Sequence, residues 1–198
     1  VIIFASISTY SDTISKIYHN NGNGTFMEDV DAELIGVCRG SVVWGDYDND
    51  GDLDILLTGR DATGQPIPGE SPPHPITRIY RNDPDPSNLV SQRMFTEDTV
   101  ADATLTKLEG SAAWGDYDND GWLDILLTGA INIWDVPASV SKIYHNNQNG
   151  TFTEDTIADA NLPGVEDNSA AWGDYDNDGR LDILLTGRSS GGYSDYIL

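Results

Sequence analysis

Residues 44–59 read Trp-Gly-Asp-Tyr-Asp-Asn-Asp-Gly-Asp-Leu-Asp-Ile-Leu-Leu-Thr-Gly. The same stretch returns at residues 114–129 and 172–187 and changes at one position only, where Asp52 is replaced by Trp122 and then by Arg180. A segment that recurs at intervals of 70 and 58 residues indicates a repeat protein. The fold and the chemistry of the chain therefore both depend on what one copy does.

Each copy places Asp at positions 1, 3, 5 and 9 of a short loop. Burying several unpaired carboxylates would be very unfavourable, so the loop requires a cation, and oxygen ligands select a hard one such as calcium. Gly at position 6 permits the turn around the ion. Position 7 varies, so we predict that it contributes its backbone carbonyl. The predicted ligands of three calcium ions are Asp46, Asp48, Asp50, Asp52, Asp54, Asp116, Asp118, Asp120, Trp122, Asp124, Asp174, Asp176, Asp178, Arg180 and Asp182.

Two alternatives compete with a calcium loop in a β-hairpin. An EF-hand needs Glu at position 12 and a helix on each side, whereas this chain has Leu57, Leu127 and Leu185 there, between short apolar runs typical of strands. The second alternative is a hairpin turn without metal. A turn needs two such residues, and the four repeated Asp therefore favour calcium.

The loops recur with a spacing that is typical of propeller blades or arrays. This spacing, with the short apolar runs on both sides of each loop, predicts an all-β fold of four-stranded antiparallel sheets. We predict strands one to four of one unit at 111–117, 123–128, 141–146 and 151–155, with third strands also at Ser15–Asn20 and Thr77–Asn82 and fourth strands at Thr25–Asp29 and Met94–Asp98. Such sheets must stack to bury both faces. Trp44, Trp114 and Trp172 are expected in the core between them.

We predict a single repeat domain over residues 1–198, divided into a partial blade (1–40), two blades (41–109 and 110–167) and a partial blade (168–198). Val1–Ala5 aligns with a second strand, and a third strand should begin at Tyr196. Closed propellers usually have at least four blades. The expectation is therefore part of a larger ring, or a ring that closes with another copy of the chain.

Composition limits the partners. The net charge is −23, which argues against nucleic acid and anionic membranes. No stretch is long and apolar enough to span a bilayer, so no membrane insertion is expected. Cys38 is the one cysteine, which excludes an intrachain disulfide. Calcium loops of extracellular modules bind at about 0.1–1 mM, so an extracellular or cell-surface location is expected.

The motif Trp-Gly-Asp-Tyr-Asp-Asn-Asp-Gly-x-Leu-Asp-Ile-Leu-Leu-Thr-Gly closely resembles the FG-GAP/VCBS-type repeat. That repeat builds the calcium-binding β-propeller of integrin α subunits and of many bacterial and fungal surface proteins. The resemblance implies four-stranded blades with calcium between strands one and two on the lower face. It also implies ligand recognition on the upper face, without specifying the ligand.

Ligand candidates lie in the connections between strands two and three. Tyr10, Trp134 and Tyr193 stand at nearly the same place after strand two and could stack on sugars; the alternative is that they cover their own loops. The proline-rich insertion Arg60–Ile76 carries His74, which is expected to be solvated. Asn23 and Asn149 lie in glycosylation sequons that also suit hairpin turns.

Three functions remain in competition. The first is a calcium-stabilised module for adhesion or recognition of a protein or glycan, not an enzyme, because no nucleophile is accompanied by a positioned histidine. The second is an assembly or filament subunit that joins through open strand edges. The third is an accessory or catalytic propeller of a secreted hydrolase or lyase.

Overall fold

A computed structural model describes residues 13–61, 74–84, 93–132 and 138–189. This part of the chain contains only strands and turns and no helix, which confirms the all-β prediction. The strands are β1 (Ile17–Asn20), β2 (Phe26–Asp29), β3 (Val37–Cys38), β4 (Val42–Gly45), β5 (Asp54–Asp61), β6 (His74–Pro84), β7 (Arg93–Glu97), β8 (Glu109–Gly115), β9 (Asp124–Asn132), β10 (Ala138–Asn146), β11 (Phe152–Glu154), β12 (Val165–Gly173) and β13 (Asp182–Ser189).

The strands form four antiparallel sheets in chain order. The first sheet is β1–β2, and the second joins β3 and β4 to one edge of β5, followed by β6 and β7. The third is β8–β9–β10–β11, and the fourth is β12–β13. Each of the three Asp-rich loops connects two paired strands: β4 to β5, β8 to β9, and β12 to β13.

The predictions for the end of one strand and for His74 were wrong. The first strand of the third sheet ends at Gly115 rather than at residue 117, because the Asp116 carboxylate accepts the backbone N–H groups of Asp120 and Gly121 and so turns the chain. His74 is not solvated: it begins β6, pairs with Asp61 and is only 3% exposed. The ladder between β5 and β6 continues further into the insertion than its prolines suggested.

Neighbouring sheets stack through a recurring contact between tryptophan, glycine and tyrosine. Trp114 of the third sheet stacks on Tyr47 of the second, with ring centroids 6.0 Å apart and planes 6° from parallel. The indole fills the space above Gly45, where an added Cβ would lie 2.6 Å from Trp114 Cδ1. We call this Gly-x-Tyr surface a tryptophan seat.

The contact repeats between the third and fourth sheets. Trp172 stacks on Tyr117 at 6.1 Å and 7°, and a Cβ added to Gly115 would lie 2.5 Å from Trp172 Cδ1. The prediction of core tryptophans was wrong for Trp44, which is 49% exposed and touches Phe95 edge-on. No described residue offers Trp44 a seat of this kind.

The main core lies between the second and third sheets. Its buried residues come from both sheets and from the 98–108 connection; they are Tyr47, Leu56, Ile79, Ala101, Leu105, Leu108, Ala112, Ile125, Leu127, Tyr144 and Phe152. A smaller cluster of Leu126, Ile143 and Ala170 joins the third sheet to the fourth. Within the described ranges, no helix is long and apolar enough to cross a membrane.

Candidate metal centres

The three Asp-rich loops have the same backbone structure. In the first loop, Asp46 accepts the N–H of Asp50 through Oδ1 at 3.0 Å and the N–H of Gly51 through Oδ2 at 3.1 Å. Asn49 is left-handed (φ 57°), as is Gly51 (φ 95°). Asn and Gly are the residues that tolerate this conformation best, which explains why positions 4 and 6 of every copy carry them.

These turns bring carboxylates together. Ligand oxygens of Asp46, Asp48 and Asp50 lie within 4.8 Å of one another, as do those of Asp116, Asp118 and Asp120 in the second loop. In the third loop the group is Asp174, Asp176 and Asp182. These aspartate clusters could hold metal ions. An all-oxygen donor set fits a hard cation, and calcium tolerates the irregular geometry of a loop.

The Asp at position 9 ties the loop to the sheet. Asp54 is fully buried and accepts the N–H of Tyr47 at 3.2 Å and that of Asn82 at 2.9 Å. Asp124 is buried in the same way, with the N–H groups of Tyr117 and Asn146 as its donors at 3.1 and 2.9 Å.

Without a bound cation, burial disfavours the ionised form of the aspartate at position 9. Desolvation raises the pKa of Asp54 to about 7 and that of Asp124 to about 6, although the backbone hydrogen bonds act in the opposite direction. A bound cation would stabilise the ionised form. Metal binding and proton release are therefore linked at these two residues.

The residue at position 7 distinguishes the loops. Its N–H always donates to the Asp at position 5: Asp52 to Asp50 at 2.8 Å, Trp122 to Asp120 at 2.9 Å and Arg180 to Asp178 at 2.9 Å. In the third loop the Arg180 guanidinium also pairs with the Asp178 carboxylate. This guanidinium would compete with a metal ion for Asp178. Of the aspartates at positions 1, 3 and 5 of the three loops, Asp178 is the only one that does not belong to the clusters of converging carboxylates described above.

His145 was not among the predicted site residues, yet it lies at the second loop. Its Nδ1 is 3.1 Å from Asp118 Oδ2 and 3.5 Å from Asp124 Oδ1. At the equivalent place in the second sheet, Arg81 instead donates to Asp83 at 2.7 Å. The sequence signal was available in the shared Ile-Tyr-His/Arg-Asn pattern of third strands, which places this side chain beside the loop.

A tyrosine–aspartate pair links each of the first two loops to the end of the fourth strand. The Tyr47 hydroxyl donates to Asp98 Oδ2 at 2.7 Å, and the Tyr117 hydroxyl donates to Asp155 Oδ2 at the same distance. Burial raises the pKa of Tyr117 and the hydrogen bond to Asp155 adds to that rise, so the phenol stays protonated. These aspartates anchor the loops without belonging to them, and sequence reasoning missed their role.

Adjacent loops are also bonded to each other. The Asn49 amide donates to the Gly121 carbonyl at 3.1 Å, and the Asn119 amide donates to the Gly179 carbonyl at 3.1 Å. The Asn146 amide of the third sheet donates to the Tyr47 carbonyl at 2.8 Å. The three candidate centres therefore form a continuous row along one end of the stacked sheets.

A polar cavity of about 730 Å³ lies at the opposite strand ends. Its charged lining includes Arg39, Glu109, Glu166 and Arg188. Glu109 bonds the buried Arg60 at 2.5 Å, and Arg188 bonds Glu166 at 3.0 Å. The aromatic ligand candidates Tyr10, Trp134 and Tyr193 lie outside the described residues.

Comparison with known protein families identifies the family of the repeat. A model of the FG-GAP-like repeat matches residues 2–57 and 130–185. The chain belongs to the FG-GAP-like repeat family. The two matches include the first and third candidate centres, whereas the second lies between them. No curated protein and no solved structure showed a significant match to the chain.

Membership in the FG-GAP-like family accounts for the repeated sequence and for the similar sheets that carry it. It does not specify a ligand, because a repeat fold hosts many functions. The assignment of each predicted ligand to a calcium ion stays a prediction, as does the division of the chain into blades.

Proposed function

We propose that this FG-GAP-like chain is a calcium-stabilised recognition or adhesion module of a β-propeller, working outside the cell. Its calcium is structural: it neutralises the Asp-rich loops and fixes the ends of the first and second strands of each blade. The chain is not an enzyme in this proposal, and its ligand is a protein or a glycan.

The convergence of three carboxylates in each Asp-rich loop carries the proposal. The net charge of −23 adds a second reason, because three calcium ions would cancel six negative charges where they are densest. Closely spaced carboxylates repel one another and destabilise the folded chain, so the free energy of ion binding is also free energy of folding.

The stacking of the sheets supports the propeller. The second, third and fourth sheets follow one another through the same tryptophan seat and place their candidate centres in one row. Repetition of one contact between neighbouring sheets generates a curved array, and a curved array of four-stranded sheets can close into a ring. The polar cavity at the other strand ends, together with Tyr10, Trp134 and Tyr193, is the proposed ligand face.

Calorimetry with and without calcium tests the structural role of the ion. We expect a rise in melting temperature in 1 mM calcium relative to chelator, and a native mass that includes three bound ions. An unchanged melting temperature, with no ion retained, would contradict the proposal.

Two variants that each remove one negative charge distinguish calcium binding in a loop from the general effect of the net charge. Asp118→Asn changes a proposed ligand, whereas Glu33→Gln changes an exposed acid outside the loops. Asp118→Asn should reduce the stabilisation by calcium and lose one ion, and Glu33→Gln should do neither. Equal responses would show that calcium acts only by screening.

A glycan-array screen in calcium tests the ligand face. Binding that disappears in Trp134→Ala, with the melting temperature unchanged, would support stacking on a sugar. Binding that ignores this substitution would remove Trp134 from the proposal.

A further inference from the structure

The second Asp-rich loop has a nitrogen donor beside its carboxylates. His145 Nδ1 lies 3.1 Å from Asp118 Oδ2 and 3.5 Å from Asp124 Oδ1, and one ligand atom from each of the three residues lies within 4.8 Å of the others. Among the described residues, the converging groups of the first and third loops contain carboxylates alone. The second centre therefore differs from the other two in the type of ligand it offers.

Backbone hydrogen bonds orient both carboxylates of this group. Asp118 Oδ1 accepts the N–H of Asp120 at 3.2 Å, so Oδ2 is the oxygen that faces His145. Asp124 is fully buried, and its Oδ1 accepts the N–H of Asn146 at 2.9 Å. Because a carboxylate oxygen has two lone pairs, this oxygen retains one for a further contact. The donors are thus held in place by the loop and by the strand that carries His145.

The spacing of the donors fits short metal bonds. Ligand atoms bound at about 2.0–2.2 Å to one ion lie about 2.8–3.6 Å apart in octahedral and tetrahedral geometry. The distances of 3.1 and 3.5 Å from the imidazole nitrogen fall in this range. Zinc binds imidazole nitrogen and carboxylate oxygen at such lengths, whereas calcium takes oxygen ligands at about 2.3–2.6 Å. An imidazole in the group therefore favours a transition metal over calcium.

A sequence difference in the third strands explains why the first loop lacks this donor. Arg81 stands where His145 stands, and its guanidinium donates to Asp83 at 2.7 Å. The third sheet has Asn147 in place of Asp83, and the Asn147 amide donates to Thr151 at 2.9 Å. The imidazole consequently lies against the loop. A guanidinium has no acceptor atom, so Arg81 cannot bind a metal.

From this donor set we infer that the second centre binds one divalent transition-metal ion of the zinc type in place of calcium, through Asp118, Asp124 and His145. The side chains of His145 and Asp118 are each 34% exposed, which leaves a route for the ion and room for water ligands. The inference rests on the proposed role of the loops as metal centres and changes the ion at one of them.

The position of the second centre gives this ion a structural role at two joints between sheets. The Asn49 amide of the first loop donates to the Gly121 carbonyl of the second, and the Asn119 amide of the second donates to the Gly179 carbonyl of the third. An ion that fixes the second loop therefore supports the contacts of the third sheet with both of its neighbours.

Native mass measurement in 1 mM calcium with one equivalent of zinc tests the inference. We expect two calcium ions and one zinc ion per chain, and titration calorimetry in the same buffer should give one zinc site per chain. Cobalt(II) should occupy the same site and report the imidazole ligand through its visible absorption bands. Three calcium ions with no zinc would overturn the inference.

Matched arginine variants distinguish a metal ligand from an ion pair between protonated histidine and aspartate. His145→Arg keeps a positive charge at this position and removes the nitrogen ligand, as in the second sheet. Outer contacts of metal ligands already change affinity by about 10- to 100-fold, so loss of a ligand should weaken zinc binding by at least that much. Calcium should then occupy all three loops.

His19 provides the control for this substitution. It occupies the same place in the Ile-Tyr-His-Asn sequence of the first sheet, is exposed, and belongs to none of the converging groups among the described residues. His19→Arg should therefore bind zinc as the unmodified chain does. Equal zinc binding in His19→Arg and His145→Arg would show adventitious zinc only and overturn the assignment.

A transplant of the donor set tests the inference by gain of a site. Arg81→His combined with Asp83→Asn gives the second sheet the residues of the third, beside Asp48 and Asp54 at the loop positions of the ligating aspartates. This variant should bind a second zinc ion, and its melting temperature in calcium reports whether it folds. A folded variant that binds one zinc ion would contradict the donor set.

The two proposals fail separately. A chain that is stabilised by three calcium ions and ignores zinc would retain the structural role of calcium and lose the mixed site. A chain that binds zinc through His145 while its melting temperature ignores calcium and its chelator would do the opposite.

Discussion

The first two strands of the third sheet and the two strands of the fourth share most of their sequence and experience different environments. Leu126 is completely buried, whereas its counterpart Leu184 is 69% exposed; Gly115 is covered by an indole, whereas Gly173 is open. The sequence Asp-Ile-Leu-Leu-Thr-Gly is identical in both. The comparison shows that burial in this protein is decided by the neighbouring sheet and not by the repeat itself, as expected for a stacked array.

Substitution of the tryptophans tests this difference with the largest expected effect. Trp114→Ala removes an indole held between Tyr47 and Phe152 and should lower the free energy of unfolding by about 3–5 kcal/mol. Trp44→Ala removes a half-exposed ring and should cost about 1 kcal/mol. Urea unfolding measures both, and equal losses would contradict the comparison.

Removal of one hydroxyl gives a smaller and more conservative test. Tyr117→Phe loses the hydrogen bond to the Asp155 carboxylate and should destabilise the chain by about 1.5–3 kcal/mol. Tyr175→Phe changes an exposed phenol and should have no measurable effect on stability. A loss of stability in Tyr175→Phe would show that this hydroxyl has a partner.

The pH dependence of the stability of the calcium-free chain tests the role of the buried aspartates at position 9. Burial raises the pKa of Asp54 to about 7 and that of Asp124 to about 6, above the ordinary value of about 3.9 in the unfolded chain. Between the unfolded and the folded pKa values, the folded chain therefore binds more protons than the unfolded chain. Stability in chelator should therefore fall as the pH rises from about 4 to 7. Urea unfolding at several pH values measures this slope.

A variant and a change of solvent serve as controls for the pH series. Asp54→Asn combined with Asp124→Asn removes both titrating carboxyls and should flatten the slope. Calcium should oppose the loss at neutral pH, because the cation stabilises the ionised carboxylates. A slope that is the same in the double variant would assign the effect to the other acidic residues.

The smallest effect is expected at the amide that joins neighbouring loops. Asn119→Ala loses the hydrogen bond to the Gly179 carbonyl and should cost about 0.5–1.5 kcal/mol more than Asn177→Ala. The left-handed conformation of both residues (φ 60° and 59°) makes the backbone penalty cancel in the comparison. Thermal unfolding in calcium measures the difference, and its absence would mean that the loops are independent.

Much of the local structure could be predicted from the repeat. Alternating carboxylates, the left-handed Asn and Gly, and the apolar flanks all belong to one short segment, so the loop and its two strands follow from local chemistry. His74 could not be predicted in this way, because its burial results from a ladder with Asp61 across an insertion.

The loops of the candidate site could be predicted from the sequence, whereas the residues outside the loops that contact them could not. Asp98 and Asp155 lie far along the chain from the tyrosines they bind, and only the pairing of all four strands within a sheet brings them together. His145 and Arg81 occupy one position of the repeat but make different contacts, since the local acids differ. The exposure of Trp44 depends on its neighbour in space, which a single copy of the repeat cannot reveal.

The tryptophan seat has a consequence for how such a gene can grow. In every copy the tryptophan and the glycine are adjacent residues, and at Trp114 and Gly115 the indole fills the seat of one neighbour while the glycine opens the seat for the next. A duplication or recombination event that copies one whole repeat therefore transfers both halves of the joint together. A new repeat is then already compatible with its neighbours on both sides, without a compensating mutation elsewhere in the chain.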